Sequence, residues 1–308
     1  MVNIPAFFES GPASDPAYVA VRDSPDLADV KSLIEQLWAD YWPPSDPHFL
    51  QEAKIQFHQR TWELYLWHVL KMYGHAPKKS GPKGPDMWFD WNHTKIWVEA
   101  VAPGRGTGPD AVPSMRTLGE MIEAGEEPIF QKVPEAQILL RYTHAIGDKL
   151  KKYEEYCSAG IIDPDDGYII AINGREAMAY RSDIEVPFAI KATMGLGSLA
   201  VLFDLDPTKE TESHYQRRVQ ILKANESATS TELFLNERYR GVSALLCSDR
   251  DIANVPSPAG SDMYYFHNPL ASTPLPFGTF KFCREYRADM ENCRLNHTDW
   301  HVKKPGED

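Results

Sequence analysis

The sequence predicts a layered α/β fold, an α/β/α core built around a mixed central sheet, and three features carry that reading. The stretch Gly84–Pro103, GPDMWFDWNHTKIWVEAVAP, reads as a β-hairpin. Helical patterns flank it, over Pro47–Tyr73 and over Glu135–Ser158. Downstream, Tyr168–Asn173 (YIIAIN) is an unbroken apolar run suited to an interior strand. Helix, hairpin, helix and buried strand is the order a layered core requires.

Taken in order, residues 1–46 form an N-terminal helical arm with one helical pattern, Asp26–Trp42, which Pro43-Pro44 ends. Residues 47–200 make the α/β core and 201–308 a C-terminal extension that continues the same sheet. In the first core helix Ile55, Trp62, Leu66, Val69 and Tyr73 share a stripe, with Glu63 at its margin within reach of Arg60 or Lys71. His75–Pro85 (HAPKKSGPKGP) reads as a flexible basic loop.

The hairpin turns at Asn92-His93, a two-residue loop with Asn first. That turn pairs Trp91 with Thr94, Asp90 with Lys95, Phe89 with Ile96, Trp88 with Trp97, Met87 with Val98, and Asp86 with Glu99. One face carries Met87, Phe89, Ile96, Val98 and Ala100, as a core-facing side should. The last pair is out of keeping. Two like charges directly opposite, with Cβ atoms about 5 Å apart, repel, so one acid is protonated or a cation lies between them.

Beyond the hairpin, Pro103–Pro113 is a Gly/Pro loop without the frame of a phosphate cradle, and Leu118–Glu127 a short acidic helix. The helix Glu135–Ser158 buries Leu139, Tyr142, Ile146, Leu150 and Tyr153; Lys149 flanks that stripe, Lys151 points away and Lys152 lies further round. Met194–Gly197 reads as a loop, Thr211–Ala224 as a basic helix, and Gly241–Cys247 and Met263–His267 as strands. His267 at a strand end reads as a structural group. Cys283, Cys293, His297 and His301 could make a tetrahedral zinc site, but the gap between the cysteines is wide for one.

At 308 residues, 43% hydrophobic and 25% charged, the composition is that of an ordinary globular protein. There is no apolar run of membrane-spanning length, and Met1–Ser14 has neither a basic start nor an apolar stretch, so a cytoplasmic protein with no membrane partner is expected. The four scattered cysteines fit reduced thiols. The net charge of −12 argues against a general affinity for nucleic acid. From Gln51 to Arg105, however, eight basic residues face five acids, so the hairpin region is locally basic.

Pro85-Asp86, the hairpin, and Glu99-Ala100-Val101 together resemble the PD-(D/E)XK, or restriction endonuclease-like, nuclease superfamily. The likeness covers roughly Pro47–Asn173 and departs at Val101, where the family carries a lysine. What the resemblance implies is a metal-dependent nuclease that hydrolyses phosphodiester bonds, in DNA before RNA. Asp86, Glu99, Glu63 and the Ala100 carbonyl would hold one or two Mg²⁺ or Mn²⁺ ions. Lys149 would supply the missing lysine from the following helix, where Lys149 and Tyr153 are spaced like a helix motif of one branch of the superfamily. A homodimer is compatible with this. Two other readings stay open: an inactive nuclease-fold protein that binds or regulates, which Val101 and the acidic total favour, and a carbohydrate-active hydrolase, which needs two carboxylates across a sugar-sized cleft and no lysine beside them.

Overall fold

A computed structural model of the chain describes residues 4–44, 46–114, 121, 123–125, 133–177, 186–202, 212–291 and 294–300. Its centre is a mixed sheet of eight strands. In chain order these are β1 (Lys78–Lys79), β2 (Met87–Trp91), β3 (Thr94–Val101), β4 (Gly167–Asn173), β9 (Ala244–Ser248), β10 (Tyr264–His267), β11 (Arg284–Asp289) and β12 (Arg294–Asp299), and they lie side by side in that order. β3, β4 and β9 run parallel, as do β10 and β11, and the other neighbours are antiparallel. Strands from residue 244 onward therefore share a sheet with the hairpin. Two ribbons stand apart from it: β5 (Leu196–Leu202) with β6 (Glu212–Arg217), and β7 (Gln220–Leu222) with β8 (Ala228–Ser230).

The sheet separates two apolar cores. On one side Met87, Phe89, Ile96, Val98, Ala100, Ile169, Ala171 and Leu246 meet helices α1 (Pro16–Asp23), α2 (Ala28–Tyr41), α3 (Phe49–Ala53) and α4 (Phe57–Met72), through Tyr18, Trp38, Phe49, Trp62 and Leu66 among others. On the other, Trp97, Ile170, Ile172 and Leu245 meet α5 (Glu135–Ser158) and α6 (Phe188–Met194). Strand β4 has helices on both faces and is buried at all seven residues. Each of its isoleucines contributes about 1.5–3 kcal/mol by leaving water, which is why this strand needs no polar alternation.

The hairpin register is the expected one from Met87↔Val98 to Trp91↔Thr94. Asn92 and His93 both take the left-handed conformation, φ 49° and 67°, whose twist matches that of the flanking strands. Helix α5 has the bounds the sequence predicts and buries Leu139, Tyr142, Ile146 and Leu150.

Other expectations are corrected. The 47–73 pattern is two helices, α3 and α4, separated at Lys54–Gln56, and Ile55 in that break is 61% exposed, not on the stripe. A further helix, α1, precedes the expected one; Asp15 caps it by accepting from the Ala17 and Tyr18 N–H groups. Met194–Gly197 is the end of α6, where Gly195 takes φ 64°, followed at once by β5. The stretch 212–222 is not a basic helix: it forms β6, paired with the apolar strand β5, and β7, paired with β8, because strand pairing overrides its local propensity. The Leu118–Glu127 helix lies, apart from residues 121 and 123–125, outside the described residues.

The basic loop 75–85 is also tied down. Its Lys78-Lys79 pairs with β2, Lys78 Nζ lies 2.8 Å from Asp90, and Lys79 donates to the Tyr41 and Pro43 carbonyls with its ammonium 3.6 Å from the Tyr41 ring centre. Among the described residues, no helix is long and apolar enough to cross a membrane.

Candidate active site

Strand β3 alternates. Ile96, Val98 and Ala100 enter one core, so Trp97, Glu99 and Val101 face the other, toward α5. Glu99 is thereby a carboxylate on an apolar face, 1% exposed. Such a group needs charged or hydrogen-bonding partners, and α5 supplies them. Lys149 Nζ lies 2.7 Å and Lys152 Nζ 2.9 Å from Glu99 Oε1, and the Tyr156 hydroxyl donates to Oε2 at 3.3 Å. These residues stand at i, i+3 and i+7, one stripe of the helix.

This amends the expected motif in two ways. Lys152 does not lie further round but shares the carboxylate oxygen with Lys149. The tyrosine that reaches Glu99 is Tyr156, not Tyr153. The Tyr153 ring packs against Tyr168, 4.9 Å between centres, and over Gly241, where a Cβ would lie 2.1 Å from it. The Tyr168 hydroxyl donates to the Lys149 carbonyl at 3.2 Å and steadies that turn of the helix.

Asp86 is not paired with Glu99 in the ladder, which stops at Met87↔Val98. Instead its Oδ2 accepts the Ala100 N–H at 2.7 Å, so the side chain takes the place of the next backbone acceptor. Burial foremost, then the charges of Glu99 and Glu63, raise Asp86 well above the ordinary carboxylate range; Lys149 and the Ala100 N–H work the other way. Asp86 and Glu99 are thus not the facing pair expected from the sequence, though Asp86 lies in the fields of both Glu99 and Glu63.

Glu63 arrives from α4, in the other helical layer, and is 2% exposed. Arg60 Nη1 contacts both its oxygens, at 3.0 and 3.1 Å, and Arg60 Nη2 also meets Asp46 and Glu52. Burial raises Glu63 above its ordinary value against the pull of Arg60, Gln59 and Lys149. That Asp86 feels Glu63, and Glu63 feels Lys149, puts all four expected side chains within one another's fields.

Gln59 is a residue the sequence reading missed. Its Nε2 donates to Glu63 Oε1 at 3.0 Å and to the Ala100 carbonyl at 3.4 Å, while its Oε1 accepts the Ala102 N–H at 2.7 Å. One carboxamide thus fixes the helix glutamate against the end of β3. The available signal was its i−4 spacing from Glu63.

The donors assembled here are carboxylates and a carbonyl, the oxygen ligands a hard divalent cation takes. Among the described residues, no three His, Cys, Asp or Glu side chains stand close enough together to hold an ion without side-chain movement. The fit is therefore one of donor type and charge: carboxylates gathered in one another's fields are a setting that a divalent cation would relieve. Away from this centre, Cys283 is buried with its thiol on the Phe280 carbonyl, 3.4 Å, and Cys293 and His301 lie outside the described residues. Comparison with family models, with curated proteins and with solved structures finds no match.

Proposed function

We propose that this chain is a metal-dependent nuclease of the PD-(D/E)XK type, with a restriction endonuclease-like α/β/α core, hydrolysing phosphodiester bonds in DNA more readily than in RNA. The observation that carries the proposal is the contact between Glu99 and Lys149, 2.7 Å apart, from elements fifty residues distant in sequence, with Asp86 and Glu63 in the same field. The lysine that Val101 lacks on the strand is available from α5.

In this reading Asp86, Glu99, Glu63 and the Ala100 carbonyl would hold Mg²⁺ or Mn²⁺. The bound ion supplies Lewis acidity at the phosphate and eases deprotonation of the attacking water. Arg60 and Gln59 hold Glu63 in place, and the Ala100 N–H and carbonyl are fixed by Asp86 and Gln59 respectively. The Lys149 side chain, beside the acids, would offset the charge that builds on the phosphoryl oxygens. The partner is nucleic acid; a homodimer and a cytoplasmic setting belong to the same proposal.

The test is cleavage of supercoiled plasmid, linear duplex, single-stranded DNA and RNA with Mg²⁺ or Mn²⁺, against EDTA and a Glu99→Gln variant. Metal-dependent cleavage lost in the variant supports the proposal. Binding without cleavage of any substrate supports instead an inactive nuclease-fold binding protein, a reading favoured by the double hold of Lys149 and Lys152 on Glu99 Oε1. The carbohydrate-hydrolase reading loses ground, since it required acids with no lysine beside them.

A further inference from the structure

Two lysines meet the same oxygen of Glu99, and they differ in what else they can meet. The Lys149 side chain is 12% exposed and stands among acids, feeling Glu63 and Asp86 as well as Glu99. Its carbonyl is held by Tyr168. The Lys152 side chain is 49% exposed although its ammonium is 2.9 Å from the same carboxylate. Tyr156, one turn further on, holds the other oxygen of Glu99. The stripe 149, 152, 156 therefore leads from the buried acids outward to solvent along one face of α5.

The Lys152 ammonium thus stands at the mouth of the centre, on Glu99 and half open to solvent. A polyanion approaching from solvent meets this cation before it meets Lys149. An ammonium on a flexible four-carbon stem can turn from a carboxylate to a phosphate without disturbing the helix.

Resting on the nuclease reading above, we infer that Lys152 is the residue of α5 that contacts a backbone phosphate of the nucleic acid outside the reacting centre, while Lys149 stays with the acids and Tyr156 is a positioning residue that fixes Glu99. The labour is thus divided along one helical stripe. Lys149, 12% exposed, would have to leave the acids to reach a phosphate in solvent, whereas Lys152 is already 49% exposed and leaves Lys149 and Tyr156 on Glu99 when it turns.

The division is read without catalysis. Binding of a labelled DNA duplex of fixed sequence is measured in Ca²⁺, in place of the catalytic ion, over a range of KCl concentrations, for the wild type and for Lys152→Gln, Lys149→Gln and Lys149→Arg. Each phosphate contact contributes about 0.9 to the slope of log affinity against log salt. The inference predicts that Lys152→Gln flattens the slope by about this one contact, while the slope of the Lys149 variants matches wild type. Lys149→Arg keeps the buried charge and stands in should Lys149→Gln fail to fold. An unchanged slope in Lys152→Gln, or a flattened one in Lys149→Arg, overturns the inference. If the wild type cleaves DNA and yet the Lys152→Gln slope is unchanged, only the division of labour falls; if the wild type shows no salt-dependent binding, the nuclease reading falls with it.

Discussion

Two glutamates in the same sheet, Glu99 on β3 and Glu285 on β11, are each 1% exposed, and their surroundings are opposite in kind. Glu285 stands alone among donors. His267 Nε2 meets its Oε1, and the Gly278 N–H, at 2.9 Å, and Trp300 Nε1, at 2.6 Å, donate to Oε2. Glu99 has two ammoniums and a phenol as partners, and it shares its neighbourhood with Asp86 and Glu63. The first arrangement satisfies a carboxylate and fastens β10, β11 and the segment after β12 to one another. The second gathers more acid than folding needs and sets cations against it. Burial alone says little about function; like charges kept together at a cost to stability say more.

That contrast can be broken by exchanging each carboxylate for its amide. Glu99→Gln is expected to lower nuclease turnover by about 10²–10³-fold, and Glu285→Gln to leave it unchanged, in a plasmid-nicking assay with Mn²⁺. Equal losses would remove the distinction between the two sites. Glu63→Gln comes next, with a loss of about 10–100-fold, because Gln59 and Arg60 still hold the side chain beside the acids but its charge is gone. Stability reverses the order. The Gly278 and Trp300 N–H groups both donate to Oε2, so an amide nitrogen there would lose both bonds, and Glu285→Gln is expected to cost about 1–3 kcal/mol in urea denaturation. Glu99→Gln costs less, since it also relieves repulsion with Asp86.

Proton linkage sharpens the comparison further. Asp86 is raised above its ordinary value, so the folded chain holds a proton that the unfolded chain has released. The stability this brings is full below the ordinary aspartate range and is lost as pH rises through the raised value. Asp86→Asn removes the dependence. In metal-free buffer its stability relative to wild type should improve as pH rises above the ordinary aspartate range; a constant difference would show that Asp86 is not raised by its burial and its acidic neighbours. The smallest effect belongs to the far end of the hairpin. His93, at φ 67°, sits where glycine is unstrained, so His93→Gly should raise stability by about 1 kcal/mol and leave nuclease activity untouched.

Sequence logic reached the hairpin because every constraint on it is local: a two-residue turn sets the register, and alternation sets the faces. It reached α5 and β4 because a long amphipathic stripe and an unbroken apolar run have few other uses. It singled out Asp86, Glu99, Glu63 and Lys149 through the awkwardness of two acids on neighbouring strands together with a family resemblance, and of these the structure sets Lys149 directly on Glu99. It stopped where tertiary pairing decides. The segment Glu212–Arg217 is polar and becomes strand because β5 is beside it. The choice of Tyr156 over Tyr153 depends on Gly241, whose missing side chain gives Tyr153 a place in the core. Gln59 offered only its spacing from Glu63, because its other partners, the Ala100 carbonyl and Ala102 N–H, are backbone atoms at and just beyond the end of β3, distant in sequence.

The most direct measurement is anomalous diffraction from crystals soaked in Mn²⁺. The account predicts a peak bounded by the carboxylates of Asp86 and Glu99, with Glu63 or the Ala100 carbonyl completing the oxygen shell, and no peak at Glu285. Crystals that take up no manganese there at saturating concentration, with Lys149 and Lys152 still on Glu99, would contradict it.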